Sequence, residues 1–208
     1  MEGQGDTVSP LSEKDLAPDP LAQFGAWLKA AEAESGQRNP NAMTLCTVGA
    51  DGWPQGRMVL LKGWGQDGLC FYTNLGSEKA LALKAVPKAE LVFHWDKMGR
   101  QVRVRGSVQA MTPAEAAVYF ASRARESRLG AWASMQSLTI ASREALEAVF
   151  QAVEKKFSGR EVPLPSHWGG FRLEPDRFEF WQEGAHRFHD RFRYERRAQS
   201  WSLSRLQP

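Results

Sequence analysis

Five short apolar or alternating runs follow one another between residues 42 and 111: AMTLCTVG (42–49), QGRMVLLK (55–62), LCFYTN (69–74), AELVFHW (89–95) and RQVRVRGSVQAM (100–111). Runs of this length, rich in β-branched and aromatic residues and divided by turn residues, read as strands. Strands at such even spacing fold into an antiparallel barrel or sandwich. Asp51-Gly52 and Gln66-Asp67-Gly68 supply the positive-φ residues that tight hairpins need. Three further strands read as FRLE (171–174) with RFEFWQ (177–182), HRFHDRFRYER (186–196) and SWSLSRL (200–206), giving seven or eight.

Helices punctuate this pattern. Asp19 caps and Pro20 opens a helix in which Leu21, Phe24, Leu28 and Ala31 recur at helical spacing to about Glu34. Ser77 caps a short helix through Lys84, and Thr112-Pro113-Ala114-Glu115 is a capping box. Ser142 starts another helix whose stripe, Leu146, Val149, Phe150, Val153 and Phe157, predicts core packing. The fold class is α+β, mainly β: a barrel with peripheral helices. Residues 1–18, polar with Gly, Ser and Pro, predict a flexible arm, and 19–208 a single domain.

The formal net charge of +3 hides a local excess, because Arg172, Arg177, Arg187, Arg191, Arg193, Arg196, Arg197 and Arg205 crowd the carboxy-terminal segment. That excess suits an anionic partner, small phosphate or nucleic acid, or else a solvated basic surface. Cys46 and Cys70 form no CxxC pair, which points to reduced thiols rather than a disulfide framework or zinc site. The amino terminus lacks a signal-type apolar core and no run of ~18 apolar residues occurs, so the expectation is a soluble cytoplasmic protein without membrane contact.

Several constellations bear chemistry. Read as one strand, HRFHDRFRYER puts Arg187, His189 and Arg191 on one face with only Glu195 to offset them, either an anion site or a solvated edge. His186 and His189 then face opposite ways, which argues against a metal. Tyr119, Arg123 and Ser127 share one face of a continuous helix and suit a phosphate, although taken alone the triplet is better explained as a charged surface helix. Arg57 and Lys62 bracket a strand but alternate to opposite faces, so one ligand meets both only at a bulge or between subunits. TNLGSEKA (73–80) places Ser77 and Lys79 at a helix start, and Gln136-Ser137 adds a hydrogen-bonding pair. GxGxxG, GxSxG and HExxH are absent, which favours cofactor chemistry over a side-chain nucleophile.

GRMVLLK, FYTNLGSEKA, RQVRVRG, YFASRARESRLGAW, EVPLPSHWGGF, EFWQ and HRFHDRF resemble, in order and spacing, the pyridoxine/pyridoxamine 5′-phosphate oxidase family over residues 40–208. The resemblance implies an FMN-binding split β-barrel and a homodimer with flavin between subunits. It implies oxidation of pyridoxamine or pyridoxine 5′-phosphate to pyridoxal 5′-phosphate by hydride transfer from C4′ to flavin N5. Dioxygen is the implied acceptor, releasing hydrogen peroxide, and ammonia from the amine. For FMN it implies Arg57, Met58, Val59, Leu60, Leu61, Lys62, Tyr72, Thr73, Lys79, Gln101, Gln136, Ser137, Trp181 and Arg191. For substrate it implies Lys62, Tyr119, Arg123 and Ser127 around the phosphate, with Arg187 and His189 as catalytic residues beside the ring. Glu78 stands where many members carry Arg, Ala124 replaces a common proline, and the amino-terminal segment lacks the family's Arg and Tyr. A split-barrel FMN reductase and a basic barrel binding single-stranded nucleic acid are the competing readings.

Overall fold

In the computed structural model, which describes residues 9–208, the five runs form β1 (Ala42–Val48), β2 (Pro54–Leu60), β4 (Gly68–Asn74), β5 (Lys88–Trp95) and β6 (Arg100–Ala110). A short extra strand, β3 (Gly63–Gly65), precedes β4. With β7 (Trp168–Gln182), β8 (Asp190–Arg197) and β9 (Ser200–Leu206) they make one curled antiparallel sheet. The Asp51-Gly52 hairpin joins β1 to β2, with Gly52 at φ 82°. The second hairpin differs from expectation: its first arm is β3, paired Gly65 to Gly68, because β2 ends at Leu60.

Strand β7 organises the sheet. Along one edge β6 pairs from Phe171 to Gln182, whereas the other edge is shared, residues 168–173 with β4 and 177–182 with β8. The changeover sits at Pro175, where the register against β6 slips between Arg105 and Gly106. Proline has no N–H for a ladder, and at Gly106 an added Cβ would lie 1.9 Å from the Glu174 carbonyl oxygen. The resulting bulge lets β7 leave one neighbour and join another.

Helix α1 (Pro20–Glu34) starts where Asp19 accepts the Leu21 N–H, and it buries Phe24 and Trp27 against Phe93 and Phe180. Each such aromatic contributes roughly 2–3 kcal/mol by leaving water. Helices α2 (Glu78–Ala85), α3 (Pro113–Ser122), α4 (Arg125–Ala133) and α5 (Arg143–Lys156) follow, with the Thr112 capping box formed.

Four expectations need correction. Residues 119–127 are not one helix: Arg123 (ψ 148°) and Ala124 (ψ 145°) are extended, so α3 stops and α4 restarts. The extended backbone that a following proline enforces is kept without one. On α5, Phe150 and Val153 pack beside Leu129, Phe157 and Val162, but Leu146 and Val149 stay exposed, so only part of the stripe is core. HRFHDRFRYER is not one strand, because residues 185–187 form a 3₁₀ turn with His186 at φ 57° and Arg187 at φ 66°, and β8 begins at Asp190. Finally, residues 9–18 are tied down: the Leu11 N–H donates to Asp190 (2.8 Å), Arg205 donates to the Leu11 carbonyl (2.9 Å), and Tyr194 donates to the Ala17 carbonyl (2.7 Å). The remainder of the expected arm, residues 1–8, lies outside the described residues.

Candidate active site

A cavity of about 490 Å³ opens where the end of β2, the end of β4, the start of α2 and the α3–α4 break converge. Among the described residues its charged lining is Lys62, Lys79 and Arg123, with no Asp or Glu. Lys79 is buried (8% exposed) and donates only to neutral oxygens, Thr73 Oγ1 at 3.3 Å and Gln136 Oε1 at 3.0 Å. Burial, then the nearby Arg57 charge, pushes its pKa below the ordinary lysine value. Arg123 rests over the Trp168 ring at 4.9 Å, its Nη1 buried without a hydrogen-bond partner. Burial lowers its pKa too. Desolvated cations without counter-ions are costly unless an anion completes them, so this lining is built for one.

The aromatic wall is Tyr119 stacked on Tyr72 (4.2 Å, 21°) and Tyr72 on Trp168 (5.4 Å, 6°). Gly170 makes room for it, since a Cβ there would lie 2.8 Å from the Tyr72 ring. Met58, Val59 and Leu60 give the apolar side, and Ser127 joins from α4. Thus Tyr119, Arg123 and Ser127 do converge, through the helix break rather than along one helix face. Arg57 does not line the cavity: its Nη1 is held by Leu45 O, Thr47 Oγ1 and Gln55 O. Leu61 is buried in the core, and Ser137 (φ 74°) accepts the Glu78 N–H at 3.3 Å.

A second group of expected residues lies elsewhere. Gln101, Trp181 and Arg191 sit side by side across β6, β7 and β8, with the His189 ring 4.8 Å from Trp181. The Gly184 N–H donates to His189 Nδ1 (3.2 Å), which leaves Nε2 as the proton-bearing nitrogen of the neutral ring. Arg187 is exposed on the strained turn before it. The cationic row is also less bare than its spacing implies, because Arg191 donates to Glu179 (2.8 Å) and Arg193 lies 3.5 Å from Glu195. Tyr72 pairs with Gly170 and Gln101 with Trp181, eleven residues apart along β7. On a straight strand that is on the order of 30 Å. The cavity and the Trp181 row therefore occupy opposite ends of β7.

Residues 21–157 match the family described as pyridoxamine 5′-phosphate oxidase, and residues 168–208 match the pyridoxine 5′-phosphate oxidase C-terminal dimerisation region. The chain belongs to the pyridoxamine 5′-phosphate oxidase family. It is accordingly an enzyme, an oxidoreductase, and carries that family's dimerisation region. Curated relatives named pyridoxine/pyridoxamine 5′-phosphate oxidase include one from Cupriavidus metallidurans, 49% identical over 97% of this chain and 94% of its own length. Another, from Burkholderia lata, is 50% identical over 95% and 93%. Among solved structures, PhzG from Burkholderia lata in complex with tetrahydrophenazine-1-carboxylic acid gives a TM-score of 0.89 at 29% identity, covering 97% of this chain and 100% of that one. A pyridoxamine 5′-phosphate oxidase-related, FMN-binding protein from Nostoc punctiforme shares the fold, with a TM-score of 0.74 at 19% identity over 93% and 99%. Among the described residues no helix is long and apolar enough to cross a membrane.

Within this oxidase family member, sequence reasoning missed Trp168, Asn74 and Ser134, all lining the cavity. The signal for Trp168 was the Gly169-Gly170 pair after it, which marks close approach to a strand. Asn74, which donates to the Ser134 carbonyl at 3.0 Å, had none.

Proposed function

We propose that the chain is an FMN-dependent oxidase converting pyridoxamine or pyridoxine 5′-phosphate to pyridoxal 5′-phosphate, with dioxygen as acceptor and hydrogen peroxide as coproduct. The observation that carries this is the cavity where Lys62, Lys79 and Arg123, whose buried Nη1 has no partner among the described residues, meet an aromatic wall with no carboxylate in the described lining. Its donors fit phosphorylated, planar ligands. Lys79, Thr73 and Gln136 would hold FMN, while Lys62, Tyr119, Arg123 and Ser127 would hold the substrate phosphate. Bound FMN supplies the two-electron acceptor that dioxygen regenerates.

The second group, Gln101, Trp181, Arg191, Arg187 and His189, is too far along β7 to reach the same small ligand from the same chain. We read the active site as shared, each cavity completed by the Trp181 row of a second copy, in keeping with the dimerisation region at 168–208. In that site Arg187 covers the substrate ring. His189 donates from Nε2 to the substituent losing hydrogen, its tautomer fixed by Gly184. Arg191 would hold the cofactor there, its positive charge favouring the reduced, anionic form. Residues 19–208 form the oxidase domain, with 9–18 strapped to it, and we expect it in the cytoplasm.

Anaerobic addition of pyridoxamine 5′-phosphate to the FMN-loaded protein is expected to bleach the flavin band and leave pyridoxal 5′-phosphate after air is admitted. An unbleached spectrum at saturating substrate would reject the reading. The likeness to PhzG favours one alternative, a reduced carboxylated tricycle as substrate. Bleaching by such a compound but not by the phosphate would select it.

A further inference from the structure

One buried acid remains without a role. Glu179, with its side chain 9% exposed near the carboxy-terminal end of β7, stands between two arginines. Its Oε1 accepts Arg191 Nε (3.1 Å) and Nη2 (2.8 Å), and its Oε2 lies 3.8 Å from Arg103 Nη1. Arg103 in turn grips Glu90 through Nε (2.7 Å) and Nη2 (3.0 Å). The far side of Arg191 is fixed as well, Nη1 donating to the Gln207 carbonyl at 2.9 Å. A continuous line of alternating charge thus crosses the sheet from β5 to β8.

A guanidinium carries five N–H donors, and three of those on Arg191 are committed within the chain. Two remain, aimed by contacts on both edges of the fork. We infer that Glu179 is a positioning residue for Arg191 and that its carboxylate moderates the positive charge Arg191 offers the cofactor. This rests on the reading above, in which Arg191 meets FMN. Geometry and charge then separate by substitution. Glutamine at 179 retains an acceptor oxygen for Arg191 but removes the negative charge, so reduction of the cofactor becomes easier. Removing Arg103 leaves Arg191 as the only arginine beside Glu179, so the carboxylate weighs more on it and reduction becomes harder. A side chain that served packing alone would not yield opposite signs.

The test is the midpoint potential of bound FMN, measured by dye-linked titration in the wild type, Glu179→Gln, Arg103→Gln and Arg191→Ala, with FMN affinity and melting temperature alongside. For Glu179→Gln the expected shift favours the reduced cofactor by roughly tenfold, about +30 mV for a two-electron couple. Arg103→Gln, whose site is more exposed and tolerant, is expected to move the potential the other way by a smaller amount, and it keeps the test alive should Glu179→Gln fail to fold. Arg191→Ala is expected to lower the potential. If Arg191→Ala lowers it while Glu179→Gln and Arg103→Gln leave it unmoved, the role of Glu179 is refuted and the placement of Arg191 stands. If Arg191→Ala also leaves it unmoved, or the wild type binds no FMN, the underlying site assignment fails and this inference with it.

Discussion

Two clusters of cations occupy this molecule, and they differ in company. On β8, Arg191 and Arg193 have Glu179 and Glu195 within ion-pair distance. In the cavity, Lys79 and Arg123 have no carboxylate among the described lining residues, while a buried guanidinium nitrogen without a partner occurs in both groups, on Arg123 and on Arg193. The difference lies in what accompanies each group: the strand row has carboxylates of its own sheet beside it, whereas the cavity has none among the described residues and suits an outside anion. Density of arginine along the sequence points to the first cluster, and chemistry to the second.

The sharpest break of this contrast is removal of cavity cations. Arg123→Gln is expected to raise KM for the phosphorylated substrate by on the order of 100-fold with a smaller change in kcat, and Lys79→Met to weaken FMN binding by roughly 10- to 100-fold in a fluorescence titration, since a charged hydrogen bond contributes about 1.5–3 kcal/mol. Unchanged constants would mean that these charges face no ligand.

Next in size is the pH response. Burial holds Lys79 below the ordinary lysine value, so its charge is lost earlier on the alkaline side. FMN affinity is therefore expected to fall by up to about tenfold between neutral pH and the ordinary lysine pKa, less so in Lys79→Arg. The empty protein has the opposite slope: the unfolded chain keeps that proton longer, so this group's contribution to stability rises with pH over the same interval. An affinity flat across that range would contradict the assignment.

Smaller again is Glu78, an exposed acid whose charge is felt by both Arg57 and Lys79. Glu78→Arg is expected to tighten FMN binding about threefold, less in high salt because exposed charges are screened. At the bottom of the scale, Arg197→Ala removes an exposed contact to Glu195 and is expected to change stability by under about 0.5 kcal/mol in urea denaturation, with FMN binding intact.

What the sequence disclosed follows the range of the interactions. Local signals were readable: the Asp19 cap, the Thr112 box and the Asp51-Gly52 hairpin all form. The partner of Arg191 was not, because Glu179 arrives from β7, twelve residues away. The break at Arg123–Ala124 carries neither Gly nor Pro, so helical spacing ran through it unopposed. Likewise the alternation of HRFHDRF concealed a turn that His186 and Arg187 make in the left-handed region, a conformation uncommon for any residue but glycine and so not expected inside an alternating run. Tyr119, Arg123 and Ser127 share no continuous helix face, yet they converge because the break folds them around one cavity.

The central claim is that one catalytic site draws its cavity from one chain and its Trp181 row from another. Co-expression of two impaired chains under separate tags, Arg123→Gln and Arg187→Ala, assayed at substrate well below KM, tests it directly. Random pairing into mixed dimers is expected to rebuild one intact site in each mixed pair and recover about a quarter of wild-type activity. Mixed dimers that form but remain as impaired at low substrate as either parent would contradict the account.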